Sequence, residues 1–238
     1  MEPIFQDGLI NILDADGGIN IMSISEYDIK YSKDDYFNNR KWINNVYVKT
    51  IISKANIPRS AYLLDVGCGQ GHFSYLFNKH GIQVLGIDLS KTGIQFAKYH
   101  YEKKGLHFEV YDLFKLPALF EFDYIFVRSL SLYNTKDIEQ IQNTTETLMT
   151  HLKKNGLFIF CYNVNFNIKK QSDHWKFHNL DDINYYFSNY QSKVIYFSSK
   201  LDCILLGKFS FNKIFSYINM FASKLLGLGG EIVCFIKK

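Results

Sequence analysis

The sequence predicts an α/β fold, a doubly wound and mostly parallel sheet with helices on both faces. Three observations predict it. Between residues 61 and 161 short apolar runs alternate with helix-length segments, the rhythm of βαβ units. The runs are continuously apolar, as strands buried on both faces must be. The first run, "AYLLDV", opens directly into the glycine-rich "GCGQG" at 67–71, a turn of the kind that sets the N–H groups of a helix N-terminus beside a ligand.

Taken in order, residues 1–40 are polar and aromatic and carry no periodic signal. Apolar residues at 43, 46, 47 and 51 predict a helix from Lys41 to Ile57, stopped by Pro58. A strand at 61–66 is followed by a helix at 70–80 that ends at Gly81, and a strand at 83–87 by a helix from the N-cap Ser90 to Lys104, ended by Gly105. Strands follow at 107–110 and 123–128. Ile138, Ile141, Leu148 and Leu152 line one face of a helix over 136–154, with "NG" at 155–156 as its stop and a strand at 157–162 beyond it. A loop at 163–180, a short helix near 181–190 and a strand at 193–198 lead to the closing "GGEIVCFIKK". Before that run, residues 211–226 read as a helix whose polar positions (Asn212, Lys213, Ser216, Asn219, Ser223, Lys224) form one narrow stripe. So wide an apolar face needs a partner: the sheet, another subunit, a lid or a lipid surface.

At 238 residues the chain suits one well-buried domain. A net charge of +4 with lysines dispersed along the chain gives no nucleic-acid footprint. The four cysteines, Cys68, Cys161, Cys203 and Cys234, form no CxxC pair, so neither a zinc knuckle nor a redox motif is expected. No basic leader is readable and no apolar run reaches the ~18 residues of a membrane span, so a cytoplasmic protein is expected.

The glycine loop decides which nucleotide is held. The dinucleotide pattern GxGxxG fits Gly67 and Gly69, but its third position falls on His72, and the third glycine is Gly71. Asp65 stands two residues before Gly67, where a carboxylate repels a pyrophosphate and welcomes a cation. Asp88 ends the next strand, 21 residues after Gly67, the distance for a carboxylate that accepts hydrogen bonds from ribose hydroxyls. The site therefore asks for a ribose and a cationic group, and S-adenosylmethionine (SAM) has both.

"LLDVGCGQG" followed by "VLGIDLS" resembles the first motifs of class I SAM-dependent methyltransferases. "FEVYDL" (108–113), "FDYIFVRSLSLYN" (122–134) and "LKKNGLFIF" (153–160) resemble the family's third-, fourth- and fifth-strand segments, in order and spacing. The resemblance implies a Rossmann-like sheet of seven strands, the last antiparallel, supplied by "EIVCFIKK" and inserted into the sheet. It implies one methyltransferase domain over 1–238, with 1–57 as an N-terminal lid or helical segment and 205–228 as a helical insertion before the last strand. It further implies that Gly67, Cys68, Gly69 and Gly71 shape the turn around the methionine part, with no thiol chemistry at Cys68. Asp65 would hold the amino group, Asp88 the ribose and Leu89 the adenine face. Asp112 and Leu113 would frame the base, and Arg128 and Ser129 would face the cofactor or the reacting centre.

The acceptor is less legible. "RSLS" after the fourth strand is not the Asn/Asp-Pro-Pro-aromatic tetrapeptide of the family's amino-methylating subset. Arg128–Ser129 and Tyr162–Asn163 stand where the metal-dependent catechol type places acidic ligands, so no metal is expected. His174 and His178, in "SDHWKFHN", are candidate bases for proton removal from a hydroxyl, and Tyr133 is a pocket candidate; surface histidines without a role are equally open. Tyr27, Tyr36 and Arg40, in "SEYDIKYSKDDYFNNRKW", are lid candidates or packing residues. The expectation is O-methylation of a small molecule, a sugar or another metabolite, by a monomer or homodimer. The alternatives are a lipid or lipid-linked acceptor, with lipid contact through 211–226, and a cofactor-binding relative without catalysis.

Overall fold

In a computed structural model the described residues are 24–32, 41–165, 176–178, 180–199, 218, 221–222, 225–226 and 229–238. Seven strands, β1 (Tyr62–Val66), β2 (Gln83–Asp88), β3 (Leu106–Val110), β4 (Phe122–Arg128), β5 (Leu152–Asn165), β6 (Gln191–Ser199) and β7 (Gly229–Lys237), form one sheet in the order β3-β2-β1-β4-β5-β7-β6. β1 to β5 run parallel, and β7 enters antiparallel between β5 and β6. The last strand is thus antiparallel and inserted into the sheet, as expected.

Helices cover both faces. α2 (Lys41–Ala55), α3 (His72–Lys79) and α4 (Lys91–Tyr101) pack one side, where Val48, Ile51, Phe77, Ile94 and Ala97 meet Leu63, Val84 and Phe126. α5 (Ile138–Thr150) and α6 (Leu180–Tyr186) pack the other, where Ile141, Leu148 and Ile183 meet Leu64, Ile125 and Phe158. Successive residues of β1 thus feed opposite cores, which is why its sequence has no polar alternation. α1 (Ile24–Tyr31) stands apart from these layers, against α4.

β1 is flanked by β2 on one side and β4 on the other. The connections after β1 and β4 therefore leave toward opposite faces and open a crevice at the carboxyl end of β1, where open α/β sheets bind ligands. The glycine turn lies at that point.

Among the element ends that differ from expectation, three have a local cause. α4 stops at Tyr101, because Glu102 is extended and Lys103 bridges to Leu106 in a tight turn through Gly105, whose φ is 78°. α5 stops at Thr150, capped by His151. Asn155-Gly156 lies inside the β5 run instead of closing α5. The register jumps there, from Phe122 opposite Leu152 to Tyr124 opposite Leu157, and Asn155 takes a left-handed φ of 66°, which Asn tolerates better than most residues.

Candidate functional site

The turn after β1 is built from left-handed glycines. Gly67, Gly69 and Gly71 have φ of 74°, 52° and 77°, and a Cβ would collide at each: with Leu130 at 2.7 Å, with the Tyr31 hydroxyl at 2.8 Å and with Phe108 at 2.6 Å. The loop is therefore gripped from three directions, by the segment after β4, by α1 and by β3.

Two carboxylates face this loop. Asp65 is buried and accepts a hydrogen bond from Ser74 Oγ of α3 at 2.5 Å. Burial above all, and Asp88 nearby, push its pKa up to about 7. Asp88 accepts the N–H of Gly69 at Oδ2 and that of Ser90 at Oδ1, both at 2.8 Å. Burial raises its pKa too, against those backbone donors. Among the described residues neither carboxylate is in an ion pair. A carboxylate has about four lone-pair directions, so Asp88 keeps acceptor capacity for a diol after serving two amides. A site with two such groups disfavours pyrophosphate and fits SAM, which brings an ammonium, a sulfonium and a ribose.

The N-terminal residues bear on the same loop. Gln70 Nε2 donates to the Tyr31 carbonyl at 3.0 Å. Asp28 accepts from the Ser90 hydroxyl and, at 3.3 Å, from Thr92 N–H. Ser90 is at the same time the N-cap of α4, accepting from Gly93 N–H at 3.0 Å, as its sequence position predicts. Tyr27 packs its ring on Tyr31 at 5.9 Å. Tyr36 and Arg40 lie outside the described residues.

Of the residues assigned to the base, Leu89 is exposed and available for packing, whereas Leu113 is buried in the core. Asp112 caps the short 3-10 turn Leu113–Lys115, accepting from Phe114 N–H at 3.0 Å. Cys68 is buried and its thiol pKa is pushed well up by burial, so it offers main chain rather than a nucleophile.

Arg128 is engaged in an ion pair. It does not reach freely toward a reacting centre: its Nε and a terminal guanidinium nitrogen donate to the two carboxylate oxygens of Glu231, at 2.9 and 2.7 Å. Tyr47 Oη donates to the same carboxylate at 2.6 Å, and the guanidinium stacks over Phe73 at 4.7 Å. Burial works against the Arg128 charge, but Glu231 outweighs it and raises the pKa. Ser129 has a left-handed φ of 52°, and its Oγ accepts from Asn163 at 3.3 Å.

Two of the catalytic candidates are held by core partners as well. Tyr133 is fully buried, paired through its hydroxyl with Thr145 at 3.0 Å and packed edge-on against Phe160. His178 is also buried. Its Nε2 donates to the Tyr133 carbonyl at 2.7 Å, while Nδ1 accepts from Tyr186 Oη at 2.9 Å and from Lys136 Nζ at 3.3 Å. Burial lowers its pKa, and Lys136 adds to that. Both side chains tie loops to the core. His174 lies outside the described residues. His178→Ala is accordingly expected to cost about 2–4 kcal/mol of stability, measured by urea denaturation, through lost packing and orphaned partners. A pocket histidine would leave stability nearly untouched.

Sequence reasoning missed Ser74, Tyr31, Asp28, Tyr47 and Glu231. Glu231 alone carried a signal, an isolated acid at the head of an otherwise apolar final strand.

With this geometry in hand, the profile of the family described as "Methyltransferase domain" matches residues 59–214. The chain belongs to this methyltransferase family. Its Rossmann-like sheet is that of the class I members. It is 26% identical over 169 residues to YqeM of Bacillus subtilis (strain 168), a protein bearing the name of a methyltransferase, covering 70% of this chain and 64% of that one. It is 40% identical over 65 residues to a ubiquinone biosynthesis O-methyltransferase of Coxiella burnetii (strain Dugway 5J108-111), 27% of each chain. The chain thus spans less than two thirds of either relative's length. In fold it is similar to the N-methyltransferase NodS of Bradyrhizobium japonicum WM9, solved with S-adenosyl-L-homocysteine (SAH), at a TM-score of 0.62 and 11% identity, covering 90% of this chain and 97% of that one.

Proposed function

We propose that this methyltransferase transfers a methyl group from SAM to a hydroxyl of a small molecule. The observation that carries the cofactor half is the pair of carboxylates, Asp65 and Asp88, on a loop of left-handed glycines at the carboxyl end of β1. Bound there, SAM would supply a methyl already activated on a sulfonium. The chain's own part is placement: Asp65 holds the ammonium, Asp88 the ribose diol, Leu89 and Asp112 the base, and Tyr31 and Leu130 wall the loop. The hydroxyl half is supported by the O-methyltransferase relative and by the lack of the amino-methylating tetrapeptide after β4. His174 is the base candidate that stands after the placement of His178 and Tyr133.

The test is calorimetry with SAM and SAH, followed by detection of SAH formed with a panel of hydroxyl and amine acceptors. No cofactor binding sinks the proposal; turnover of amines alone sinks its hydroxyl half.

Asp65 gives a pH signature. Burial pushes its carboxyl up to about 7, well above the usual carboxylate range. A ligand ammonium favours the anion, so SAM affinity is expected to fall as pH drops through 7. Below that pH, binding releases a proton, which is read from calorimetry in two buffers of different ionisation heat. For the ligand-free protein the sign is opposite. Between about pH 4 and 7 the folded state binds the extra proton, so this group's contribution to stability falls as pH rises. Affinity independent of pH over this range overturns the assignment of Asp65.

A further inference from the structure

Most of the apolar stretch read at 211–226, and of the insertion at 205–228, lies outside the described residues. The carboxyl ends of β4 and β5, by contrast, are described in full. They stand side by side, with β4 next to the strand that opens into the glycine loop. Leu130, whose side chain closes on Gly67, is one residue beyond Ser129. Ser129 is therefore at the edge of the cofactor crevice. Its backbone is held there against its preference. Its φ of 52° lies in the left-handed region that residues with a Cβ enter rarely, and its N–H is tied to the Cys161 carbonyl at 2.9 Å. Strain of this kind persists only where the surroundings enforce it, and it gathers at functional sites.

The side chain that this turn presents is only partly satisfied. Ser129 Oγ accepts from Asn163 Nδ2 at 3.3 Å, and both residues are half-buried. Among the described residues nothing accepts the Ser129 hydroxyl proton, and nothing donates to Asn163 Oδ1, which is not sealed from solvent. The other polar groups at this end are committed: Arg128 and Tyr47 bond to Glu231, which stands opposite Asn163 on β7. A free donor beside a free acceptor is the complement of a hydroxyl, which accepts through its oxygen and donates through its hydrogen. An ammonium only donates and a carboxylate only accepts, so either would leave one of the two groups unmatched.

Resting on the reading that the acceptor is a hydroxyl, we propose that Ser129 and Asn163 form the seat for it, Ser129 Oγ donating to its oxygen and Asn163 Oδ1 accepting from it. Neither side chain takes up a proton at neutral pH, so their part is placement. The same pair selects the acceptor class, because a buried polar group left unpaired by the wrong acceptor penalises it.

The experiment uses the full chain with SAM and the probes glycerol, glucose and catechol, with ethylamine as the amine control and SAH formation as the signal. Ser129→Gly deletes the hydroxyl but suits the left-handed backbone, so it should melt at or above the wild-type temperature. Asn163→Leu removes the amide at similar volume. Each is expected to lower kcat/KM for the best hydroxyl probe about ten- to hundredfold, with SAH affinity in calorimetry retained. The double variant should lose little more than the worse single, because both groups hold one oxygen. Wild-type kcat/KM in Ser129→Gly and Asn163→Leu makes the turn purely structural and overturns the proposal, while leaving the hydroxyl reading intact. A loss of SAH affinity as large as the loss in kcat/KM gives Ser129 to the cofactor and overturns it as well. If the wild-type chain turns over none of the three hydroxyl probes, the hydroxyl reading itself is lost and the seat with it.

Discussion

Replacing Asp88 with alanine is expected to weaken SAM binding by about 1.5–3 kcal/mol, roughly ten- to 150-fold, in calorimetry. The figure follows from losing charge-assisted hydrogen bonds to a ribose diol. The same carboxylate also organises the loop itself, through Gly69 N–H and Ser90 N–H, so Asp88→Ala leaves two amides to rearrange and should cost some stability as well. A cycle separates the two effects. Removal of the cofactor's 2′-hydroxyl should weaken binding to the wild-type chain and have little further effect on Asp88→Ala. If the hydroxyl matters equally in both, Asp88 shapes the loop but does not hold the ribose. If the variant binds as the wild type does, the assignment is wrong altogether.

The sheet was legible because its strands are buried on both faces and their sequences are unbroken apolar runs. β1 reads "YLLDV" whether Leu63 faces α3 or Leu64 faces α5. The loop was legible because left-handed backbone and close approach leave few choices besides glycine, and because Asp65 and Asp88 lie at fixed distances from it along the chain. What failed to show were the contacts made across the fold. Tyr47 and Glu231 are 184 residues apart and Arg128 and Glu231 are 103 apart; nothing periodic links them. The packing of His178 and Tyr133 was hidden for a related reason. Both follow strand ends where pocket residues gather, and in a chain with 17% aromatic content the same residue types also fill the core. Only their partners, Thr145, Tyr186 and a main-chain carbonyl, distinguish the two roles.

The Arg128–Glu231 pair should produce the second large effect. The guanidinium and carboxylate are 27% and 14% exposed and meet in a two-point contact, so neither is well solvated if the other is removed. Glu231→Gln or Arg128→Met is each expected to cost about 2–4 kcal/mol, roughly 5–15 °C in Tm for a domain of this size. Much of that is the penalty of stranding the surviving charge, together with the Tyr47 hydroxyl that Glu231 accepts. The double variant Arg128→Met/Glu231→Gln should therefore be more stable than the sum of the singles implies, because no buried charge is left behind. Additive losses in urea denaturation would contradict this account, as would single variants within about 0.5 kcal/mol of wild type. The pair also reaches the cofactor loop electrostatically, since Arg128 draws the Asp65 pKa down against the burial that raises it. Arg128→Met should thus move the pH at which SAM affinity falls upward, while Tyr47→Phe, which keeps the guanidinium in place, should leave that pH where it is.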